Sequence, residues 1–400
     1  MNVAIMGYGT IGSGVAEVLS TNSSLIEKRA GQKLVLTKVL DLRDFEGDPI
    51  APLVVHDYQE IASDPSIGMV VETMGGVEPA YTFVKAMLQA GKHVTTSNKA
   101  LVADKGAELI AIAREHNVSF LFEASVGGGI PIIRTLLSAL TGDEIEEITG
   151  IINGTTNYMM TKMASEGCDF DTVLKEAQDN GYAEADPTAD IEGYDATRKI
   201  AILTSLVAQA QVDFEDIPVE GITNISSHDF EYARRLDRAI KLLAISKRSG
   251  DTFSVRVAPF LLSEEHPLYA VHGVMNAVYV VGNMLGESMY YGSGAGSLPT
   301  ASAVVGDMVD MARNSANPLD IRWNAEKLAL ADPDSQVYQN FIRTSLSEVR
   351  AREIFPTQQV VDCGIPGEIG IVTEPIREHD YLEIVGRLSG GEVLGRIRLA

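Results

Sequence analysis

The sequence predicts an α/β protein: a doubly wound parallel sheet over residues 1–140, an α+β domain over 141–318 and a short α+β unit over 319–400. Three observations carry this prediction. Short apolar runs alternate with helical patterns early in the chain, as in a parallel sheet covered by helices on both faces. A glycine cluster stands between the first run and the first helical pattern. The rhythm changes around Gly142 and again beyond Asn317 and Pro318.

The first element is Asn2 to Met6, a short apolar run with β-branched residues that stops at the glycines and reads as a strand. The helical pattern behind it runs through Val15, Val18 and Leu19. Further strands are predicted at Leu34 to Leu40, which ends at Asp41, at Met69 to Val71, at His93 to Thr95 and at Ser119 to Phe122. Helices are predicted at Tyr81 to Ala90 and Gly106 to Glu115. In the second domain Glu144 to Ile152 alternates like a strand with one wet face, and Asn153-Gly154-Thr155-Thr156-Asn157 starts a helix. An uncharged helix at Ile200 to Val212, an amphipathic helix at Glu231 to Ala244 and a strand at Phe253 to Leu262 follow. In the last unit Gln336 to Leu346 and Gly370 to Thr373 read as strands and Glu378 to Leu388 as a helix.

A chain of 400 residues, 45% hydrophobic, buries a substantial core in two or three domains. Its 32 Lys and Arg face 55 Asp and Glu, a formal charge of -23, which repels a phosphate backbone or an anionic bilayer and argues against nucleic-acid or membrane partners. The two cysteines, Cys168 and Cys363, offer neither a disulfide framework nor a zinc spacing. With no apolar run near the ~20 residues of a membrane span and no basic-then-apolar leader, the expected compartment is the cytoplasm.

Gly7-Tyr8-Gly9-Thr10-Ile11-Gly12 fits G-x-G-x-x-G between a strand and a helix, the context in which the pattern binds a dinucleotide. Gly7, Gly9 and Gly12 permit the turn and the close approach of a pyrophosphate, and Thr10 and Ile11 open the helix whose N–H groups receive it. Asp41 suits a ribose 2′-hydroxyl and Arg43 a 2′-phosphate, so the pair points to NAD and NADP alike. Asp195 and Lys199 are four apart, on one helix face, at the mouth of the uncharged stretch from Ile200. That spacing fits a cleft, but by itself it more commonly marks an ordinary surface pair worth about 0.3 kcal/mol.

Taken with Ser97-Asn98-Lys99-Ala100, Glu123-Ala124-Ser125-Val126-Gly127-Gly128-Gly129-Ile130-Pro131, Asn153 to Tyr158, Gly181 to Pro187, Gly193 to Lys199 and Gly292 to Gly296, the glycine motif resembles homoserine dehydrogenase, in order, over about residues 1 to 315. The resemblance implies a Rossmann-type NAD(P)-binding domain, a substrate and dimerisation domain, and the reversible reduction of L-aspartate 4-semialdehyde to L-homoserine for threonine, methionine and isoleucine synthesis. It places the proton donor at Lys199, a substrate-orienting carboxylate at Asp195 and a second active-site cation at Lys99, which also contacts the cofactor. It adds Met74, Ser97 and Gly296 to the cofactor site, and Gly181, Glu184 and Asp190 to the substrate site. It implies a structural sodium ion on Glu123, Val126, Gly128 and Ile130, and a homodimer or homotetramer.

The tail departs from the family pattern. Glu368 to Leu399 resembles the latter half of an ACT regulatory domain, while Tyr338 to Gly367 lacks the acidic-glycine loop expected after the first strand. The expectation is a short ACT-like unit used in packing or dimer contacts rather than feedback by threonine. A phosphorylating semialdehyde dehydrogenase requires a cysteine nucleophile, and Cys168 sits in acidic surroundings that discourage a thiolate. A silent dinucleotide-binding or amino-acid-sensing module is the alternative of another class, and Lys99, Asp195 and Lys199 argue against it.

Overall fold

The computed structural model describes residues 1–400. Its contacts form two compact units, the first from Met1–Glu144, Ala201–Phe214 and Tyr290–Leu328, the second from Ile145–Ile200, Glu215–Met289 and Ala329–Ala400.

The first unit is built on strands β1 (Asn2–Met6), β2 (Val35–Leu40), β3 (Val54–Val55), β4 (Ile67–Glu72), β5 (His93–Thr96) and β6 (Phe120–Leu121). They form one parallel sheet in the order β3-β2-β1-β4-β5-β6. Val3, Ala4, Ile5 and Met6 are wholly buried, which is why β1 reads as a continuous apolar run and not as an alternation. The order reverses between β1 and β4, and in such sheets ligands bind in the crevice beyond the carboxyl ends of the strands at that point. The helices Thr10–Thr21, Ala80–Gln89 and Lys99–Glu115 follow β1, β4 and β5. The helix Ser297–Arg313 packs on Thr10–Thr21, where Gly14 leaves the space; a Cβ there would lie 2.5 Å from Ser297 Oγ. That packing places the late segment Tyr290–Leu328 in the first unit.

The second unit holds β7 (Ile145–Ile151), β8 (Arg238–Ser249), β9 (Thr252–Ser263), β10 (Met275–Gly282) and β11 (Gly286–Ser293), the last of which runs on into residues of the first unit. The tail supplies β12 (Val337–Tyr338), β13 (Asn340–Thr344), β14 (Thr357–Val361), β15 (Ile369–Thr373), β16 (Ile376–Arg377) and β17 (Val393–Leu399). Nine of these make a single sheet in the order β11-β10-β7-β8-β9-β17-β13-β15-β14, and β12 pairs with β16. The tail enters this sheet through β17, parallel to β9 with Arg398 opposite Phe260.

Three helices differ from expectation, and the one expected from Gly106 starts at Lys99, where Asn98 caps it. The helix expected at Glu231 to Ala244 ends at Arg235, and Arg238–Ser249 is instead strand β8, antiparallel to β9 from end to end. A capping box of Ser226 and Asp229 starts the helix early, and Asp237 at φ 54° stops it. The run from Ile240 to Ile245 then gains a full ladder of interstrand bonds, which outweighs its helical periodicity. The helix expected from Ile200 starts earlier, at Tyr194, and ends at Ala208, so Asp195 and Lys199 lie in its first turns. Gln209 at φ 56° turns the chain out of it, and the Val212 N–H is taken up by Ser205 Oγ at 2.9 Å.

Candidate active site

At the glycine turn, Gly7 has φ +94° and Gly12 is packed so closely that a Cβ would stand 2.1 Å from the Gly7 carbonyl oxygen. The turn is held from both sides: Gly7 N–H donates to Leu40 O at 2.8 Å and Thr73 Oγ1 to Gly7 O at 2.7 Å. Thr10 and Ile11 open the following helix, and Ser297 Oγ donates to Thr10 O at 2.7 Å.

Asp41 spends both carboxylate oxygens inside the protein. Oδ2 accepts from Tyr8 N at 2.8 Å and Arg43 Nη2 at 3.0 Å, while Oδ1 accepts from Arg43 N at 3.1 Å and Nε at 2.9 Å. The Arg43 hydrogen bond, with those from the backbone, holds this carboxyl down at about 2 against the opposing effect of burial. Arg43 also donates to Tyr8 O at 3.0 Å and lies 4.6 Å over the Phe45 ring, with its side chain largely exposed.

Across the switch point, buried Glu72 ties two loops together. Its carboxylate accepts Met74 N at 2.7 Å from one loop and Thr96 Oγ1 from the other. Asn98 continues the tie, donating to Gly76 O at 2.6 Å and capping the helix that starts at Lys99 by accepting Leu101 N at 3.1 Å. Burial pushes the Glu72 carboxyl up, against the hydrogen bonds that stabilise its anion. Met74 and Ser97 thus ride on one cross-braced pair of loops, and Lys99 opens the helix that follows the second of them.

In the second unit, Lys199 Nζ donates to Asp195 Oδ2 at 2.6 Å and to Ile152 O at 2.8 Å. Lys199 is 8% and Asp195 1% exposed, so the pair is not the surface pair that its spacing also allowed. Asn153 Nδ2 reaches Asp190 Oδ1 at 2.8 Å and Asp195 Oδ2 at 2.9 Å, which brings Asp190 beside the pair. Gly181, at φ +72°, follows the helix Phe170–Asp179, and Thr155 Oγ1 tethers the next residue by donating to Tyr182 O at 2.7 Å. Glu184 is exposed on that same segment.

The loop after β6 carries Glu123, Val126, Gly128 and Ile130. Glu123 turns its carboxylate onto Ile133 N (2.9 Å) and Arg134 N (2.6 Å), and its own N–H donates to Asp307 Oδ2 at 3.0 Å. Gly128 has φ +55°, and a Cβ there would lie 2.6 Å from the Gly294 carbonyl. Gly296, at φ +108°, stands just before the helix Ser297–Arg313. Burial, reinforced by Asp307, pushes Glu123 up to about 7, and burial pushes Asp307 up to about 6. Against these carboxylates and Asp310 stands one cation, Arg134, at 2.9 Å from Asp307 and 2.8 Å from Asp310.

Sequence reasoning did not single out Asn153, Glu72 or Asp307. The position of Asn153 before a helical pattern was a legible capping signal, whereas nothing local marked the other two.

Residues 131–309 match the family model for homoserine dehydrogenase, and residues 7–123 match the model for the homoserine dehydrogenase NAD-binding domain. The chain is 38% identical to the homoserine dehydrogenase of Bacillus subtilis (strain 168), over 100% of this chain and 97% of that protein. The chain belongs to the homoserine dehydrogenase family. The crystal structure of a homoserine dehydrogenase from Thiobacillus denitrificans superposes with a TM-score of 0.93 at 36% identity, over 100% of this chain and 98% of that one. A hyperthermophilic archaeal homoserine dehydrogenase in complex with NADPH superposes with a TM-score of 0.66 at 29% identity, over 80% of this chain and 99% of that one. The chain is accordingly an NAD(P)-dependent oxidoreductase of the class acting on CH–OH groups. No helix is long and apolar enough to cross a membrane.

Proposed function

We propose that the chain catalyses the reversible reduction of L-aspartate 4-semialdehyde to L-homoserine. The observation that carries this reading is the buried Lys199–Asp195 pair, 2.6 Å apart, in a chain of this family. The bound nicotinamide supplies or accepts the hydride. The protein must supply a proton to the alkoxide that develops as the aldehyde is reduced. Lys199 donates it from Nζ, and takes it back in the oxidation of homoserine. Asp195 and the Ile152 carbonyl hold that nitrogen in place. Lys99 polarises the carbonyl, and Glu184, Asp190 and the Gly181 backbone receive the substrate's ammonium group.

The cofactor is bound by Gly7, Gly9, Thr10, Ile11 and Gly12 at the pyrophosphate, and by Met74, Ser97, Lys99 and Gly296 toward the nicotinamide. NADP is favoured over NAD, because Asp41 is saturated by internal donors while the Arg43 guanidinium is exposed. The homologue with NADPH supports the same choice.

The loop of Glu123, Val126, Gly128 and Ile130 is the proposed place of a structural sodium ion. Its ligands in this reading are mainly backbone carbonyls, hard oxygen donors suited to the ion, and the buried carboxylates of Glu123 and Asp307 nearby favour a cation. Residues 1–140 then serve as the NAD(P)-binding domain, 141–318 as the substrate and dimerisation domain and 319–400 as a shortened ACT-like unit, in a cytoplasmic homodimer or homotetramer.

The test is the initial rate of NADP+ and NAD+ reduction with L-homoserine, for the wild-type chain and for Lys199→Ala. Turnover abolished by the substitution is expected. A folded chain that binds dinucleotide without turnover refutes the catalytic reading in favour of a sensing module.

A further inference from the structure

We infer that Asn153 is a positioning residue of the reaction, whose amide fixes the carboxylate that holds Lys199; this rests on the reading of Lys199 as proton donor. Asn153 is 6% exposed and lies directly before the helix Gly154–Glu166. Its Oδ1 accepts two donors, Thr156 N at 2.9 Å and Thr156 Oγ1 at 2.9 Å. Those donors fix which end of the amide points where, since the reverse orientation would set the NH2 group against the Thr156 N–H.

The NH2 group is therefore aimed at the active site, with one contact to Asp190 Oδ1 at 2.8 Å and one to Asp195 Oδ2 at 2.9 Å. The same Asp195 oxygen receives Lys199 Nζ at 2.6 Å, and the carbonyl of Ile152, the residue next to Asn153, receives Nζ at 2.8 Å. One peptide and one side chain thus locate both the lysine and its counter-ion.

The chemistry calls for a neutral group here. Asp190 and Asp195 repel each other, and a donor with two protons bridges them without adding charge beside a lysine that must both give and take a proton. A second lysine would bridge them and compete with Lys199, and a hydroxyl offers a single proton. The amide does not titrate, so it keeps this arrangement over the working pH range.

Two substitutions separate this role from capping. Asn153→Asp and Asn153→Ser keep an oxygen for the helix N-terminus, where Asn, Asp and Ser are nearly equivalent, and both remove the NH2 group. Thermal unfolding is expected to stay close to wild type for Asn153→Ser and to fall for Asn153→Asp, which sets a third carboxylate beside Asp190 and Asp195, so rates are compared at a temperature where both variants are fully folded. The kcat for homoserine oxidation is expected to fall about ten- to hundredfold in each, the range for losing hydrogen bonds to charged groups. The KM for NADP+ is expected to be unchanged.

The pH profile then divides the two variants. Asn153→Asp adds a negative charge to the group formed by Asp190, Asp195 and Lys199, so the acidic limb of kcat/KM for homoserine oxidation moves up by about one pH unit or more. Asn153→Ser leaves that limb in place. Wild-type rates and profile from both variants, or a loss of activity that only tracks a loss of folded protein, overturns the inference. Absence of homoserine turnover in the wild-type chain overturns it together with the functional reading beneath it.

Discussion

Arg398, in the last strand, forms a two-point ion pair with Glu220, Nη1 to Oε2 at 2.8 Å and Nη2 to Oε1 at 2.7 Å, and also donates to Glu378 at 2.9 Å. The guanidinium is buried; Glu220 keeps 45% of its side chain exposed and Glu378 only 6%. Beyond Glu220 the chain presses on the segment Thr188–Ile191: a Cβ on Gly221 would lie 2.3 Å from Ile191 O, and Ile222 N donates to that oxygen at 2.8 Å. The tail therefore braces the segment that carries Asp190.

Arg398→Ala leaves buried Glu378 on Arg396 alone, which holds both its oxygens at 2.7 Å, and is expected to cost about 2 kcal/mol of unfolding free energy through the lost charged hydrogen bonds and the lost packing of a buried side chain. Glu220→Gln removes a half-exposed partner and is expected to cost less than about 1 kcal/mol. Urea unfolding compares the two, and a raised KM for homoserine in Arg398→Ala reports on the brace. Equal, small losses would show that the tail is a passive attachment.

The first sheet was legible because each of its longer strands is a local apolar run with its own boundary, and the glycine motif fixed what stood at the end of β1. At the candidate site the spacing of Asp195 and Lys199 set both on one helix face, but only their burial at 1% and 8% exposure separates them from an ordinary surface pair. Strand β8 was not legible, because its pattern also has a helical period and only the pairing partner β9 decides between them. Glu72 and Asp307 were hidden for a related reason. A buried carboxylate is informative through the donors it meets, and those of Asp307 come from Thr95, Glu123 and Arg134, far away in the chain.

Arg43→Ala removes the exposed cation proposed to meet a 2′-phosphate and frees the Asp41 oxygens it now occupies. The KM for NADP+ is expected to rise about tenfold, with that for NAD+ unchanged or lowered. Steady-state measurements with both cofactors decide the matter, and an unchanged ratio of the two KM values would reject the phosphate contact.

Two glycines of the same motif differ in what they protect. A Cβ on Gly12 meets the Gly7 carbonyl at 2.1 Å, whereas one on Gly9 has nothing within 4 Å, and Gly9 has the ordinary φ of -87°. Gly12→Ala is expected to lower stability by about 1–3 kcal/mol or more through overpacking. Gly9→Ala is expected to leave unfolding unchanged and still weaken dinucleotide binding, because the free space there is what the pyrophosphate approaches. Thermal unfolding and a dinucleotide titration on both variants separate strain from ligand clash, and tight binding by Gly9→Ala would move the pyrophosphate elsewhere.

Glu123 and Asp307 give the proposed sodium ion a pH signature. Both carboxyls sit above the ordinary range in the folded protein, at about 7 and about 6. The folded state therefore binds more protons than the unfolded one between the unfolded values, near 4, and the folded ones. Their contribution to stability is fully present at the acid end of that window and declines as pH rises through about 7. A cation in the adjoining loop offsets the negative charge that develops, so it gains most where both groups are ionised. Sodium chloride, compared with choline chloride at equal ionic strength, is expected to raise the unfolding temperature more at pH 8 than at pH 5.5. Asp307→Asn, which removes one of the charges, is expected to shrink that difference. An equal sodium effect at the two pH values would mean that the ion, if bound, does not sense these carboxylates.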